Sequence, residues 1–223
     1  MSDFNGRTVV VTGASGFLGA GLAAAFIEAG AEVVGVDRAA PDERAVVEGV
    51  RYEAADLTDD AHVGAVLDAV GTPWAVVNTV GGFAPRSSIA ELDPEELDQQ
   101  LSLNLMTAAV VTKHALRVMQ PIGAGRIILT ASRAATATKS NGFAYSVSKL
   151  AVLHLVRMAS EEVAGTGITV NGVVPSIMDT PANRASMPDA DHDKWPKVPD
   201  VARSYLFLAS PTSHLVNGAA LPV

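Results

Sequence analysis

Residues 7–19 read Arg-Thr-Val-Val-Val-Thr-Gly-Ala-Ser-Gly-Phe-Leu-Gly and run into an alanine-rich stretch that ends at residue 29. The β-branched apolar run over 7–12 predicts a buried strand, and the stretch over 17–29 predicts a helix. A glycine turn between a strand and a helix is typical of dinucleotide binding, because a helix N-terminus attracts phosphate. This stretch therefore predicts an α/β fold of the nucleotide-binding type.

The three glycines of the turn each have an expected task. Gly13 permits a tight turn, Gly16 a close backbone approach to a pyrophosphate, and Gly19 close packing of the helix on the strand. Their spacing of three departs from the strict G-x-G-x-x-G pattern, and a glycine-rich turn alone would also fit an ordinary loop. With the flanking strand and helix, we expect cofactor contacts along the whole turn, from Gly13, Ser15, Gly16, Phe17, Leu18 and Gly19.

The second predicted strand, 31–36, ends at Asp37, eighteen residues after Gly19. A carboxylate at this point accepts hydrogen bonds from the adenosine ribose and repels a 2′-phosphate. Arg38 follows and would favour NADP by contacting that phosphate, but the glycine turn carries no Lys or Arg. We therefore expect NAD, with NADH preferred and NADP not excluded. The alternative is that Asp37 is an ordinary turn residue.

Strand-like and helical segments alternate along almost the whole chain, as in repeated βα units. The predicted strands cover 7–12, 32–36, 50–54, 74–79, 125–131, 168–174 and 215–222, and the predicted helices 17–29, 59–70, 93–119, 143–164 and 198–209. Apolar strands in such units form a parallel sheet covered on both faces. We expect a single Rossmann domain over 1–223, with a doubly wound parallel sheet of about seven strands and helices on both faces.

Composition narrows the functional class. The 223 residues are 48% hydrophobic, include no cysteine and carry a net charge of −8. The absence of cysteine excludes disulfides, thiolate metal sites and a thiol nucleophile. The acidic balance disfavours nucleic acid and anionic membranes as partners, and we expect no metal. Since no signal peptide or membrane-spanning run is apparent, we expect a cytoplasmic protein.

Polar and glycine residues follow several predicted strands, where ligands of parallel sheets bind. We expect contacts to the cofactor from these strand exits, namely Asp56, Leu57, Asn78, Val80, Gly81, Pro175, Ile177 and Thr180. Each of them alone would also fit turn chemistry, and Asp56 would also fit a cap for the helix that starts near Asp59.

Tyr145 and Lys149 lie four residues apart and therefore on one face of the predicted helix 143–164. A lysine ammonium beside a phenol lowers the phenol's pKa toward neutral pH, where proton transfer at a carbonyl or alcohol oxygen is most effective. Ser132 follows the fifth predicted strand, where ligands of a parallel sheet bind. The spacing alone would also fit an exposed helix face.

Together these residues resemble the short-chain dehydrogenase/reductase family over nearly the full length of the chain. The residues that carry the resemblance are Thr12, Gly13, Gly16, Gly19, Asp37, Asp56, Asn78, Gly81, Asn104, Ser132, Tyr145, Lys149 and the segment from Pro175 to Thr180. The resemblance implies a catalytic set of Asn104, Ser132, Tyr145 and Lys149. In it, the tyrosine exchanges the proton, and the lysine lowers the pKa of that tyrosine and holds the nicotinamide ribose. Asn104, in a predicted helix, would otherwise be a polar residue on a solvated face.

Two features depart from the compact members of the family. The glycine spacing is similar to that of the extended epimerases and dehydratases, and the C-terminus lacks an Asp-Gly-Gly tail. Three hypotheses stay open: an NAD(P)-dependent oxidoreductase of a carbonyl or alcohol, an NAD-dependent epimerase or dehydratase, and a catalytically silent NAD-binding protein.

The segment from Asp179 to Pro196 resembles dihydropteridine reductases, as does the stretch from Val80 to Ala84. This narrower resemblance implies NADH-dependent pterin reduction, although those enzymes lack the active-site serine that Ser132 would supply. We expect residues 176–197 to form a lid over a small-molecule substrate. Trp195 stacks on a flat ring or packs the lid on the core.

His192 and His114 are candidate catalysts by residue type, but we expect neither to take part in the reaction. We expect His192 to be solvated and His114 to lie at the surface or at a subunit contact. The predicted helices 93–119 and 143–164 imply, through the family resemblance, a homodimer or homotetramer. Apolar surface on helix 143–164 beyond what one sheet face requires agrees with self-association.

Overall fold

The computed structural model describes residues 4–42, 46–83, 88–137 and 142–223. Within these ranges it contains one parallel sheet of seven strands in the order β3-β2-β1-β4-β5-β6-β7. From β1 to β7 the strands are Thr8–Thr12, Glu32–Asp37, Val50–Ala54, Ala75–Asn78, Ala124–Thr130, Gly167–Val174 and Ala220–Pro222. The predicted doubly wound α/β fold is confirmed.

The helices of the described ranges cover both faces of the sheet. From α1 to α7 they are Phe17–Glu28, Asp60–Val70, Pro94–Gln100, Thr107–Met119, Phe143–Glu162, Pro181–Ser186 and Val198–Ala209. One buried apolar cluster joins α1 and α7 to the sheet, and the other joins α2, α4 and α5 to its opposite face. Because both faces are covered, β1, β4 and β5 are buried almost throughout and form continuous apolar runs in the sequence.

The predicted helix 93–119 is interrupted. Its first part, α3, passes into a π-helical segment, Leu101–Met106, before α4 begins at Thr107. A π-helix accommodates an extra residue within a helix and often occurs at functional sites. Sequence periodicity did not reveal this change.

Two other segments differ from the sequence prediction. The last strand is confined to Ala220–Pro222, since the chain from 211 to 219 forms a 3₁₀ turn and a loop. The expected lid, 176–197, contains the short helix α6 and a 3₁₀ turn at His192–Lys194. Among the described residues, no helix combines the length and the apolar character needed to cross a bilayer.

Candidate active site

A cleft of about 1620 Å³ lies at the carboxyl ends of the strands. It begins at the glycine turn between β1 and α1, passes the ends of β4 and β5, and reaches the start of α5 and residues 175–195. The strand order reverses between β1 and β4, so the cleft occupies the switch point where doubly wound sheets bind ligands. A second hollow of about 500 Å³ shares Asp37, Arg38 and Val80 with this cleft and adds Asp56 and Leu57.

Two glycines of the turn are required by its geometry. Gly13 has a φ of +73°, in the left-handed region, and a Cβ there would lie 2.7 Å from Thr79 Oγ1. A Cβ on Gly19 would lie 2.0 Å from the carbonyl oxygen of Gly13, so only glycine lets α1 start this close to the turn. Helix α1 begins at Phe17, and its N-cap, Gly16, has no side chain to cover the first N–H groups.

Polar groups beside the turn fit a dinucleotide. Ser15 Oγ is buried and has no hydrogen-bond partner among the described residues. The Asp37 carboxylate accepts hydrogen bonds from the backbone N–H of Ser15 at 3.1 Å and from the backbone N–H of Arg38 at 2.8 Å. These bonds fix the carboxylate at the end of β2, where the adenosine ribose of a bound dinucleotide would lie.

The remaining expected cofactor residues divide into those at the cleft, two at the second hollow, Asp56 and Leu57, and one that lines neither. Val80, Gly81, Pro175, Ile177 and Thr180 line the cleft, with Phe17 and Leu18. Asn78 does not line it. Asn78 is 1% exposed, and its Oδ1 accepts a hydrogen bond from Thr12 Oγ1, so its side chain joins β1 to β4.

Asp56 borders the second hollow and closes a local turn there. Its Oδ1 accepts hydrogen bonds from Thr58 N at 2.9 Å and from Thr58 Oγ1 at 2.7 Å. These bonds hold the pKa of the Asp56 carboxyl below its usual value. The side chain that caps α2 is instead Asp59, which accepts from Ala61 N at 2.8 Å. Asp56 is thus not the helix cap.

Tyr145 lies in the first turn of α5 and faces the cleft. Burial raises the pKa of its phenol, and a hydrogen bond with Ser132 opposes this rise in part. The sequence-based expectation that Lys149 lowers the Tyr145 pKa is therefore not met by the protein alone, because desolvation outweighs the other influences. Ser132 Oγ also accepts a hydrogen bond from Ala134 N at 3.2 Å, which fixes its position after β5.

Lys149 lies one helical turn beyond Tyr145 and is 4% exposed. Its Nζ donates a hydrogen bond to the carbonyl oxygen of Thr130 at 2.9 Å. Burial lowers the pKa of the ammonium group to about 8. Lys149 is therefore mostly protonated at neutral pH, and among the described residues its Nζ has one acceptor, which leaves two of its three N–H donors for a ligand in the cleft.

Asn104 lies in the π-helical segment and is 1% exposed, which excludes the alternative of a solvated helix face. Its Oδ1 accepts from Gly82 N at 3.0 Å. Its Nδ2 lies 3.1 Å from Gly82 O, 3.1 Å from Gln100 Oε1 and 3.0 Å from Ser148 Oγ. The amide thus holds the loop after β4 against α5.

Gly81 lies close to both Asn104 and Lys149. A Cβ at this position would lie 2.5 Å from Asn104 Oδ1 and 2.7 Å from Lys149 Nζ. The structure therefore places the loop after β4 directly against both Asn104 and Lys149.

Sequence reasoning missed two residues of this site. Thr130 holds Lys149 through a backbone carbonyl, which no side-chain pattern reveals. Phe83 packs edge-to-face on Tyr145, with ring centroids 5.1 Å apart and an interplanar angle of 82°. The sequence analysis singled out the stretch that contains Phe83, directly after two glycines in the loop that follows β4, but gave the residue no role. Ala84, in the stretch that resembles dihydropteridine reductases, lies outside the described residues.

Residues of the expected lid segment line part of the cleft and have contacts of their own. Arg184 forms a two-pronged ion pair with Asp179, which holds the pKa of that carboxyl below its usual value. His192, which we expected to be solvated, is partly buried: its Nε2 lies 2.8 Å from Met187 O, and its ring lies 4.5 Å from that of Trp195.

His114 is also buried, which excludes one of its two expected locations, the surface. The other expected location was a subunit contact. The Nε2 of His114 lies 3.0 Å from Asp60 Oδ1, between α4 and α2, and the residue does not line the cleft. This location agrees with the expectation that His114 has no catalytic role.

Known proteins that are similar to this chain in sequence or structure include short-chain dehydrogenases and reductases. The family model described as short chain dehydrogenase matches residues 7–191. The cis-4-hydroxycyclohexanecarboxylate dehydrogenase of Sinomonas cyclohexanicum is 31% identical over 238 aligned positions, which cover 99% of this chain and 96% of that protein. The 7alpha-hydroxysteroid dehydrogenase of Bacteroides fragilis is 26% identical, with 100% and 95% covered.

Among solved structures, a short-chain type dehydrogenase/reductase from Mycobacterium ulcerans superposes with a TM-score of 0.91 at 31% identity, covering 99% of this chain and 89% of that one. Both the sequence relatives and this structure are matched over nearly the whole chain. The chain therefore belongs to the short-chain dehydrogenase family and is an NAD(P)-dependent oxidoreductase.

Proposed function

We propose that this enzyme interconverts a secondary alcohol and a ketone on a small, largely apolar ring, with NADH as the preferred cofactor. The observation that carries the proposal is the meeting of Asn104, Ser132, Tyr145 and Lys149 at one end of a cleft that starts at the glycine turn. Family membership favours this oxidoreductase over the epimerase and the silent NAD-binding protein.

The glycine turn and Asp37 would hold the adenosine and pyrophosphate half of the dinucleotide. In the described part of the chain no side chain caps the first N–H groups of α1 and the buried Ser15 hydroxyl has no hydrogen-bond partner, so both can bind phosphate oxygens. Asp37 disfavours a 2′-phosphate by charge repulsion, which supports NADH over NADPH. Lys149 would bind the nicotinamide ribose with the N–H donors that Thr130 leaves free.

When bound, the nicotinamide supplies or accepts the hydride. The protein's part is to position the substrate oxygen and exchange its proton. Because the pKa of Tyr145 is raised, its phenol is protonated at neutral pH and donates a proton to the carbonyl oxygen in the direction of reduction. Ser132, hydrogen-bonded to that phenol, stabilises the charge that develops on the oxygen.

Apolar side chains at the substrate end of the cleft, which lie among polar ones such as Asn183 and Lys194, support a ring-shaped substrate. Phe83 stands against Tyr145 on one side, and the expected lid, 176–197, adds Met178, Met187 and Trp195. Both relatives described above are named for hydroxyl groups carried on rings. We propose that this segment covers the bound substrate. We also propose that residues 1–223 form a single domain.

Pterin reduction is the second candidate. The aromatic rings of Phe83 and Trp195 at the substrate end favour a flat heterocycle, and the preference for NADH agrees with such an enzyme. In this case Ser132 would not be needed for the reaction.

One assay tests both candidates. Purified protein is given NADH or NADPH with cyclic ketones or with chemically generated quinonoid dihydropterin, and the absorbance of the reduced cofactor is followed. NADH-dependent turnover of ketones that is lost in Tyr145→Phe supports the proposal. Tyr52→Phe is the matched control, because the Tyr52 hydroxyl accepts a hydrogen bond from Val47 N and does not line the cleft. Turnover of the pterin alone would replace the first candidate with the second. Normal turnover by folded Tyr145→Phe would refute the proposed acid/base.

We further propose that the enzyme is a homodimer or homotetramer that associates through α4 and α5. Leu150 and Met158, eight residues apart on α5, are 50% and 59% exposed, which is unusual for large apolar side chains on one helix face. Light scattering of the purified protein tests this, and a monomer at micromolar concentration would contradict it. Leu150→Glu with Met158→Glu is expected to shift the protein toward monomer.

A further inference from the structure

Thr130, the last residue of β5, is held from three directions. Its Oγ1 lies 2.7 Å from Asn78 O, at the end of β4, and 2.8 Å from the hydroxyl of Tyr205 on α7. Its carbonyl oxygen accepts the hydrogen bond from Lys149 Nζ at 2.9 Å. The two helices that meet at Thr130 cover opposite faces of the sheet, since Tyr205 packs with α1 and Val152 of α5 with the other cluster.

The directions of these hydrogen bonds follow from the number of protons. The Thr130 hydroxyl has one proton, and the Asn78 carbonyl can only accept, so Thr130 donates to Asn78. The Tyr205 phenol must then donate to Thr130 Oγ1. Tyr205 is 0% exposed, and burial raises the pKa of its phenol, so it keeps the proton that this bond requires.

We propose that Tyr205 is a positioning residue for Lys149, acting across the sheet through Thr130. The phenol fixes the end of β5, and the carbonyl of the same residue holds the lysine in the orientation that binds the cofactor ribose. This inference rests on the role proposed above for Lys149.

The position of the Thr130 carbonyl matters because the Lys149 ammonium is buried. A buried ammonium needs hydrogen-bond acceptors, and in the described part of the chain Nζ has one protein acceptor, Thr130 O. The peptide group that carries the Thr130 carbonyl is held on one side by Ala131 N, which donates to Val173 O at 2.8 Å, and the pairing with β6 continues with Arg133 N to Pro175 O at 3.0 Å. The side-chain bonds of Thr130 to Asn78 O and to Tyr205 hold the other side of the same carbonyl. Losing them would let the carbonyl shift by a fraction of an ångström, which would lengthen the bond to Lys149.

The test measures NADH affinity against pH by fluorescence titration, for Tyr205→Phe, Thr130→Val and Thr130→Ser. A hydrogen bond to the ammonium stabilises its charged form, so weakening this bond lowers the Lys149 pKa. We expect Tyr205→Phe and Thr130→Val to weaken NADH binding by about fivefold at pH 7, the equivalent of one hydrogen bond. We also expect both to move the loss of affinity at alkaline pH toward lower pH.

Thr130→Ser keeps the hydroxyl, so we expect it to have the wild-type NADH affinity and the wild-type pH dependence. We expect the double variant Tyr205→Phe with Thr130→Val to bind NADH no more weakly than Thr130→Val alone. Thr112→Val and Tyr52→Phe are matched controls, since both lose a hydroxyl hydrogen bond away from the cleft.

Three outcomes decide the inference. If Tyr205→Phe lowers only the thermal stability and leaves the pH dependence in place, the residue is structural and the inference is wrong. If Tyr205→Phe does not fold, the comparison of Thr130→Val with Thr130→Ser decides in the same way. If Lys149→Met binds NADH and turns over normally, the proposed role of Lys149 fails instead.

Discussion

We expect replacement of Gly81 by alanine to displace two catalytic side chains while the protein still folds. The backbone at Gly81 is not in the left-handed region, so alanine is conformationally allowed there. Its Cβ, however, would lie 2.5 Å from Asn104 Oδ1 and 2.7 Å from Lys149 Nζ. To regain ordinary contact near 3.4 Å, the lysine nitrogen must retreat by about 0.7 Å and the amide oxygen by slightly more.

This retreat stretches the 2.9 Å hydrogen bond between Lys149 and Thr130 and the 3.0 Å bond between Gly82 N and Asn104. A hydrogen bond to a charged group contributes about 1.5–3 kcal/mol. We therefore expect kcat/KM for ketone reduction to fall by about one to two orders of magnitude.

The matched control for Gly81→Ala is Gly82→Ala, one residue further. Its Cβ would lie 2.6 Å from Leu103 Cδ2, the end of a flexible apolar side chain that can rotate away. We expect Gly82→Ala to lose less than about threefold in kcat/KM, with thermal unfolding close to that of wild type. Equal losses in both variants, or none in a folded Gly81→Ala, would refute the assignment of Lys149 and Asn104 to the reacting end of the cleft.

Three further predictions concern the cofactor half and the buried charge. Gly19→Ala is expected to lose about 3 kcal/mol of unfolding free energy and to lose NADH binding, because its Cβ meets the backbone of Gly13 at 2.0 Å; a normal melting temperature would contradict this. Asp37→Ser is expected to raise the ratio of kcat/KM for NADPH over NADH at least about tenfold, and an unchanged ratio would remove Asp37 as the selecting residue. Lys149 has a folded-state pKa of about 8 against 10.5, so the unfolded chain binds more protons between these pH values. The unfolding free energy of wild type, measured relative to that of Lys149→Met in denaturant titrations, should therefore rise from pH 8 to about pH 10.5 by up to about 3 kcal/mol, because the buried tyrosines contribute equally to both proteins.

The sequence predicted most of the fold because the relevant patterns are local. The β-branched runs mark strands covered on both faces, and the glycine turn marks the crossover from β1 to α1. Gly13 and Gly19 were assigned correctly to a tight turn and to close helix packing, because a residue without a Cβ suits the places where the backbone turns sharply or approaches another segment closely.

What the sequence did not predict depends on burial and on backbone atoms. Spacing placed Tyr145 and Lys149 on one helix face, but only the packed structure shows that desolvation raises the tyrosine pKa. The carbonyl of Thr130 is invisible to any side-chain pattern. Asn78 lies at the end of a strand, as a ligand-binding residue would, yet in the tertiary structure its side chain bonds to Thr12.

The π-helical segment Leu101–Met106 has a consequence for the rotational phase of the helices around it. Each residue of an α-helix turns the chain by about 100°, so the extra residue of a π turn rotates everything before it relative to everything after it. This offset lets α3 pack against α5 while α4 packs against α2 and β5. Deleting one residue between 101 and 106 would restore a regular helix, but the faces of α3 and α4 would then be misaligned, and Asn104 would swing away from Gly82.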